Sequence, residues 1–124
     1  MRNAINWFEL PAQDLGRAQK FYETLLGTKL RAETFSGMEM ALFPYQEGQG
    51  VGGALVKDAR FRPSPDGAVV YLDTGAGLDG CLARVEKAGG KVVMPRTDIG
   101  DPGYIAMIVD TEGNRVGLHQ ARAV

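Results

Sequence analysis

The stretch INWFELPAQDLGRAQKFYETLLG, residues 5–27, decides the fold, because the chain runs through its plan twice. Residues 5–10 predict a short strand with Ile5, Trp7 and Glu9 on one face and Asn6, Phe8 and Leu10 on the other. Pro11, which has no N–H for a ladder, closes it. Asp14 is placed to cap a helix over residues 15–26, and Gly27 to stop it. Leu15, Ala18, Tyr22, Leu25 and Leu26 form an apolar stripe at helical spacing, with Arg17, Gln19, Lys20 and Glu23 on the wet side. Residues 29–35 then read as the next strand.

Residues 69–93 repeat that order: strand VVYLD, loop TGAG, helix LDGCLARVEKA, Gly-Gly, strand KVV. Laying Leu15 on Leu78 places Ala18 on Cys81, Tyr22 on Val85 and Gly27 on Gly90. The second stripe runs through Leu78, Cys81, Leu82, Val85 and Ala88. Self-similarity at about half the chain length points to two copies of one supersecondary unit.

Working outward, Ser36-Gly37 predicts a hairpin turn into a strand at 38–43, and a loop at 44–50 precedes a strand at 51–56. Residues 58–67, ending Pro63-Ser64-Pro65-Asp66-Gly67, read as a linker. Further strands fall at 91–96, 105–109 and 115–119, the last two flanking Asp110-Thr111-Glu112-Gly113-Asn114, a turn-rich run. Each half therefore reads β-α-β-β-β. The expectation is one α+β domain over residues 1–124, with modules at about 3–57 and 68–120.

The composition bounds the function. A chain of 124 residues is long enough to bury roughly two-thirds of its unfolded surface. A formal net charge of -1 provides no basic field, so neither nucleic acid nor an anionic membrane is an expected partner. The lone Cys81 cannot form an internal disulfide, and the N-terminus lacks the apolar run of a signal peptide. A cytoplasmic location is expected.

Three stretches then carry a resemblance. FELPAQDLGRAQKFYETLLG, LARVEKAGGKVV and IVDTEGNRVGLHQ, in this order, resemble the opening helix signature, the second helix exit and the closing D-P-x-G-N hairpin of the vicinal oxygen chelate superfamily. Thr111 stands where proline is commoner in that hairpin. The superfamily takes in glyoxalase I, bleomycin resistance proteins, extradiol dioxygenases and fosfomycin resistance enzymes. The resemblance implies two βαβββ modules forming curled mixed sheets around a cavity, and a homodimer as the expected assembly.

Metal-dependent members of that superfamily place His, Gln or Glu ligands at fixed strand positions. The resemblance puts these positions on Trp7, Val69, Gly117 and the region of Gly52–Ala54, none of which offers a donor side chain. A divalent ion needs several imidazole, carboxylate or thiolate groups converging on one point. No metal or other cofactor is therefore expected, and a small organic molecule becomes the expected ligand. Glycines at ligand positions, with Trp7 opposite, suggest a roomy pocket with an aromatic wall for a planar or cationic ligand. Met40, Val69, Tyr71 and Gly117 are expected to line it beside Trp7, and Asp73 shares the face of Tyr71.

Glu9 and His119 are the candidate catalytic pair. Strand alternation puts Glu9 on the face of Trp7 and His119 on that of Gly117. A carboxylate half-buried beside an imidazole has the chemistry of a general base or acid; a Glu9 bonded to backbone amides and a surface His119 are the alternative. Cys81, on an apolar stripe, reads as a buried small residue. Gly48-Gln49-Gly50-Val51-Gly52-Gly53 matches G-x-G-x-x-G, but neither a directly preceding strand nor a following helix frames it, so dinucleotide binding is not expected. Three functions stay open: a metal-independent small-molecule binder, which is favoured; a lyase or isomerase of glyoxalase type, or a dioxygenase, with an unconventional site; and a non-catalytic interaction module.

Overall fold

The computed structural model describes residues 3–123. Ten elements follow one another: β1 (Trp7–Pro11), α1 (Leu15–Leu26), β2 (Arg31–Phe35), β3 (Met38–Leu42), β4 (Gly52–Val56), β5 (Tyr71–Asp73), α2 (Leu78–Ala88), β6 (Lys91–Asp98), β7 (Tyr104–Val109) and β8 (Arg115–Gln120). The strands form two four-stranded sheets, ordered β1-β4-β3-β2 and β5-β8-β7-β6. Each sheet has one parallel pair, β1 with β4 and β5 with β8, and is otherwise antiparallel. The duplicated plan is thus present in three dimensions.

Local chemistry explains the element ends. The Asp14 carboxylate accepts from the Arg17 amide at 3.0 Å, and Gly27 takes a left-handed φ of 68° at the other end of α1. In α2 the left-handed cap is Gly89, so the glycine equivalent to Gly27 is one residue earlier than the alignment of Leu15 with Leu78 implies. Gly90 has a different duty: a Cβ there would lie 2.6 Å from the Phe21 ring and 2.8 Å from the Val109 carbonyl oxygen. Ser36 and Gly37 both have positive φ, as a two-residue hairpin between β2 and β3 requires. Pro11 is the last residue of β1 rather than the residue beyond it; β1 is an edge strand, where a missing donor is tolerated.

The main core lies where one face of each sheet meets the helices. Leu10, Leu55, Leu72, Ile108, Val116 and Leu118 from the strands pack with Ala18, Phe21, Tyr22, Leu25, Leu78, Cys81 and Val85 from the helices. On the opposite face of the first sheet, Met40, Ala54 and Val56 form a smaller cluster with Trp7, Met38 and Leu42 against it. Phe21, outside the expected stripe, is fully buried. The reason is that α1 packs on α2 as well as on its own sheet, which widens the buried arc.

The second module caps α1 of the first module at both ends. At the N-terminus the Glu112 carboxylate accepts from the Gln13 and Asp14 amides, both at 2.9 Å, and from Arg17 Nε at 2.7 Å and Nη2 at 3.0 Å. At the C-terminus Arg84 donates to the Thr24 carbonyl at 3.0 Å and the Leu25 carbonyl at 2.8 Å. Each end receives the sign of charge that its dipole favours. Between them the buried Tyr22 hydroxyl donates to Asp110 Oδ2 at 2.5 Å, and Asn114 Nδ2 donates to the Pro11 carbonyl at 2.8 Å. The run 110–114 is therefore a clasp as well as a turn.

Candidate functional site

Strand alternation on β1 and β5 builds the site. Phe8 and Leu10 turn to the helices, which leaves Trp7 and Glu9 on the other face. Leu72 is likewise in the core, with Tyr71 and Asp73 exposed on the other face. No ladder joins β1 to β5 among the described residues. Along this seam lies a cavity of about 940 Å³, within the size range of small-molecule sites. Its walls include Trp7, Phe43, Tyr45, Val51, Val69, Tyr71 and Asp73.

Aromatic rings occupy the space above two glycines. A Cβ on Gly52 would lie 2.4 Å from the Tyr45 ring, and one on Gly117 would lie 2.4 Å from the Tyr71 ring. The expected open room over these glycines is thus filled by rings laid on bare backbone. Trp7 meets Tyr45 edge to face, with centroids 6.2 Å apart. Of the five predicted ligand-binding residues, Trp7, Val69 and Tyr71 line the cavity. Met40 is buried in the small cluster on the same sheet face as Trp7, and Gly117 acts as the floor under Tyr71. Sequence reasoning missed Tyr45. An aromatic in the loop before Gly52-Gly53 was the available signal, since rings pack readily over strand glycines.

Glu9 is exposed, not half-buried as expected, because it sits on an edge strand and on the face away from the helices. Its Oε2 accepts from the Trp7 indole N–H at 3.3 Å. His119 Nε2 lies 2.8 Å from the Pro102 carbonyl oxygen; a carbonyl can only accept, so Nε2 carries the proton. Among the described residues no hydrogen bond or ion pair joins Glu9 to His119. The two stand on different sheets, each with another partner.

The donor set does not fit a divalent metal. Trp7, Val69 and Gly117 carry no ligating atom, and among the described residues no group of three or more His, Cys, Asp or Glu side chains could hold an ion. Cys81 is buried, which pushes its thiol up despite the guanidinium of Arg84 nearby; a raised thiol is a poor nucleophile. Gly52 and Gly53 lie inside β4 with no helix after it, so the glycine run lacks the frame of a phosphate loop. No helix among the described residues is long and apolar enough to cross a membrane.

Two four-stranded mixed sheets, each with its helix, around a cavity at the seam define the glyoxalase/bleomycin resistance fold. The sequence family agrees: the Glyoxalase/Bleomycin resistance protein/Dioxygenase superfamily matches residues 4–118, and the chain belongs to it. CFP32 of Mycobacterium tuberculosis, provisionally named a glyoxylase, is 34% identical over 94% of this chain. Glyoxalase I of Zea mays, solved as its V278E mutant, is 26% identical over 92% of this chain with a TM-score of 0.69. TnmS3, an antibiotic binding protein of Streptomyces sp. CB03234, is 20% identical over 97% of both chains at a TM-score of 0.64, a likeness of fold alone. The chain spans only 45% of CFP32 and 44% of the maize chain.

Proposed function

We propose that this chain binds a small organic molecule in the seam cavity without a metal. The observation that carries the reading is the cavity of about 940 Å³ walled by Trp7, Tyr45 and Tyr71, beside strand positions that hold no ligating side chain. Aromatic walls with a few polar groups suit an organic ligand. Trp7 is the only tryptophan, so its fluorescence reports directly on the cavity. Titration with a panel of planar organic compounds is expected to give saturable changes without turnover, in protein that keeps no metal after loading with nickel, zinc, iron or manganese and dialysis. A retained, near-stoichiometric metal would sink this reading.

A second reading, a glyoxalase-type lyase or isomerase, is supported by the name of CFP32 and its 34% identity. Glu9 and His119 would then be its acid–base groups, each acting from its own sheet. Glyoxalase activity lost in Glu9→Gln with unchanged melting would favour it over the binder.

The reading includes a cytoplasmic homodimer. It is supported by the free, buried Cys81 and by Phe35, Phe61 and Val93, large apolar side chains left about half exposed or more. Nucleic acid and membrane surfaces are not partners in it, given the net charge of -1. A solution mass of one chain would remove the dimer.

A further inference from the structure

The walls of the seam cavity are one-sided in charge. Among the described residues lining it there is no lysine, arginine or histidine, and the only carboxylate is Asp73. Asp73 is exposed, and its Oδ1 accepts from the Gly75 amide at 2.9 Å, an Asx turn that aims the side chain and leaves Oδ2 without a hydrogen-bond partner among the described residues. A second carboxylate, Glu9, is not one of the lining residues but lies at the edge of Trp7, where it accepts from the indole N–H at 3.3 Å. That bond satisfies the only polar donor of the ring and leaves its π face for a ligand. Negative charge at a ring edge and the negative face of the ring itself both favour a cation.

His119, the ladder partner of Asp73, is not among the residues lining the cavity. Lys29 and Arg31 line a separate pocket of about 230 Å³ that shares Phe43, Pro44 and Tyr45 with the seam cavity. Arg31 is paired with Glu33 at 3.2 Å. An anionic ligand in the seam would therefore meet Asp73 and three aromatic faces with no positive group among the described wall residues.

From this charge pattern we propose that the seam cavity selects a planar organic cation, with Trp7, Tyr45 and Tyr71 as the aromatic faces and Asp73 and Glu9 as the counter-charges. The inference rests on the ligand-binding reading and adds the chemical class. A flat bicyclic ring bearing a quaternary or protonated nitrogen meets both requirements, stacking on the rings while its charge stays near the carboxylates. An acidic ligand of the same shape loses the stacking advantage to repulsion.

The test is a matched series measured by calorimetry at pH 8: N-methylquinolinium, quinoline and quinoline-2-carboxylate. These are a permanent cation, a neutral ring and an anion of nearly one shape. The cation is expected to bind at least roughly tenfold tighter than the anion, with quinoline between them. Asp73→Asn and Glu9→Gln, each at an exposed position, are expected to keep the melting temperature and shrink that preference at least about threefold. Anion binding equal to or tighter than cation binding overturns the charge class and leaves the cavity reading standing. Absence of binding by all three at millimolar concentration, in folded protein, overturns the cavity reading and this proposal with it. A preference unchanged in both variants overturns the role of the two carboxylates.

Discussion

Glu112→Gln removes one charge and turns one acceptor oxygen into a donor at nearly constant volume. In the parent, the side chain of Glu112 has no solvent exposure while that of Arg17 is half exposed. Burial works against the charge, but the Arg17 guanidinium, the Asp14 and Gln13 amides and the Thr111 hydroxyl outweigh it and hold the carboxyl at about 2 rather than 4.5. At about 1.36 kcal/mol per pKa unit this corresponds to roughly 3 kcal/mol. Screening on the exposed side of Arg17 lowers the figure to about 2 kcal/mol, within the range for hydrogen bonds to a charged group. A carboxyl depressed in the folded state stabilises fully above its unfolded value near 4.5, and this stability is lost as pH falls toward about 2. Urea unfolding followed by Trp7 fluorescence at a series of pH values measures both quantities. The variant is expected to be about 2 kcal/mol less stable at pH 7, with the gap closing as the parent protonates. A gap under about 0.5 kcal/mol at pH 7, or one equally wide at about pH 2.5, would refute the reasoning.

Tyr22→Phe leaves buried Asp110 with its Oδ2 bonded only to Asn114 Nδ2 at 3.1 Å, and should cost about 1–3 kcal/mol in the same urea assay. No loss would mean that the hydroxyl contributes nothing across the modules. Gly103→Ala meets backbone: at φ 118° its Cβ would lie 2.2 Å from the Gln120 carbonyl oxygen and 2.7 Å from the Arg122 amide. A loss of more than about 2 kcal/mol is expected there. The nearest atoms to a Cβ at Gly117 all belong to the Tyr71 ring, a side chain that is 46% exposed and can give way more easily than backbone, so Gly117→Ala should cost less than about 1 kcal/mol; equal losses at the two glycines would contradict this distinction.

Where chemistry is local, sequence and structure agree closely. Asp14 and Gly27 delimit α1 and Ser36-Gly37 turns β2 into β3, because caps and tight turns depend on the residues at those positions. The faces of β1 were legible for the same reason: period two needs only the neighbours. Most of what escaped depends on elements distant in sequence. Phe21 is buried by the second helix, and Tyr71 fills space over Gly117 that glycine alone suggested was open; Tyr45, only seven residues before Gly52, was within local reach and was missed. Glu9 has the right face, but its exposure follows from β1 being an edge strand, which only the sheet order reveals. Glu112, the most heavily bonded carboxylate among the described residues, looked like one residue of a turn because all its partners but Thr111 lie about 95 residues or more away.

The dependence of α1 on Glu112 and Arg84 bears on how the halves relate in folding. A helix with both ends completed by the other module cannot reach its native state within residues 3–57 alone, so the modules melt as one cooperative unit. Chain cut within the linker should therefore yield two fragments that are weakly ordered apart and reassemble when mixed. Any exchange of halves between two chains would have to rebuild the Arg17–Glu112, Tyr22–Asp110 and Arg84–Leu25 contacts in trans, and those contacts supply the specificity by which each half recognises the other.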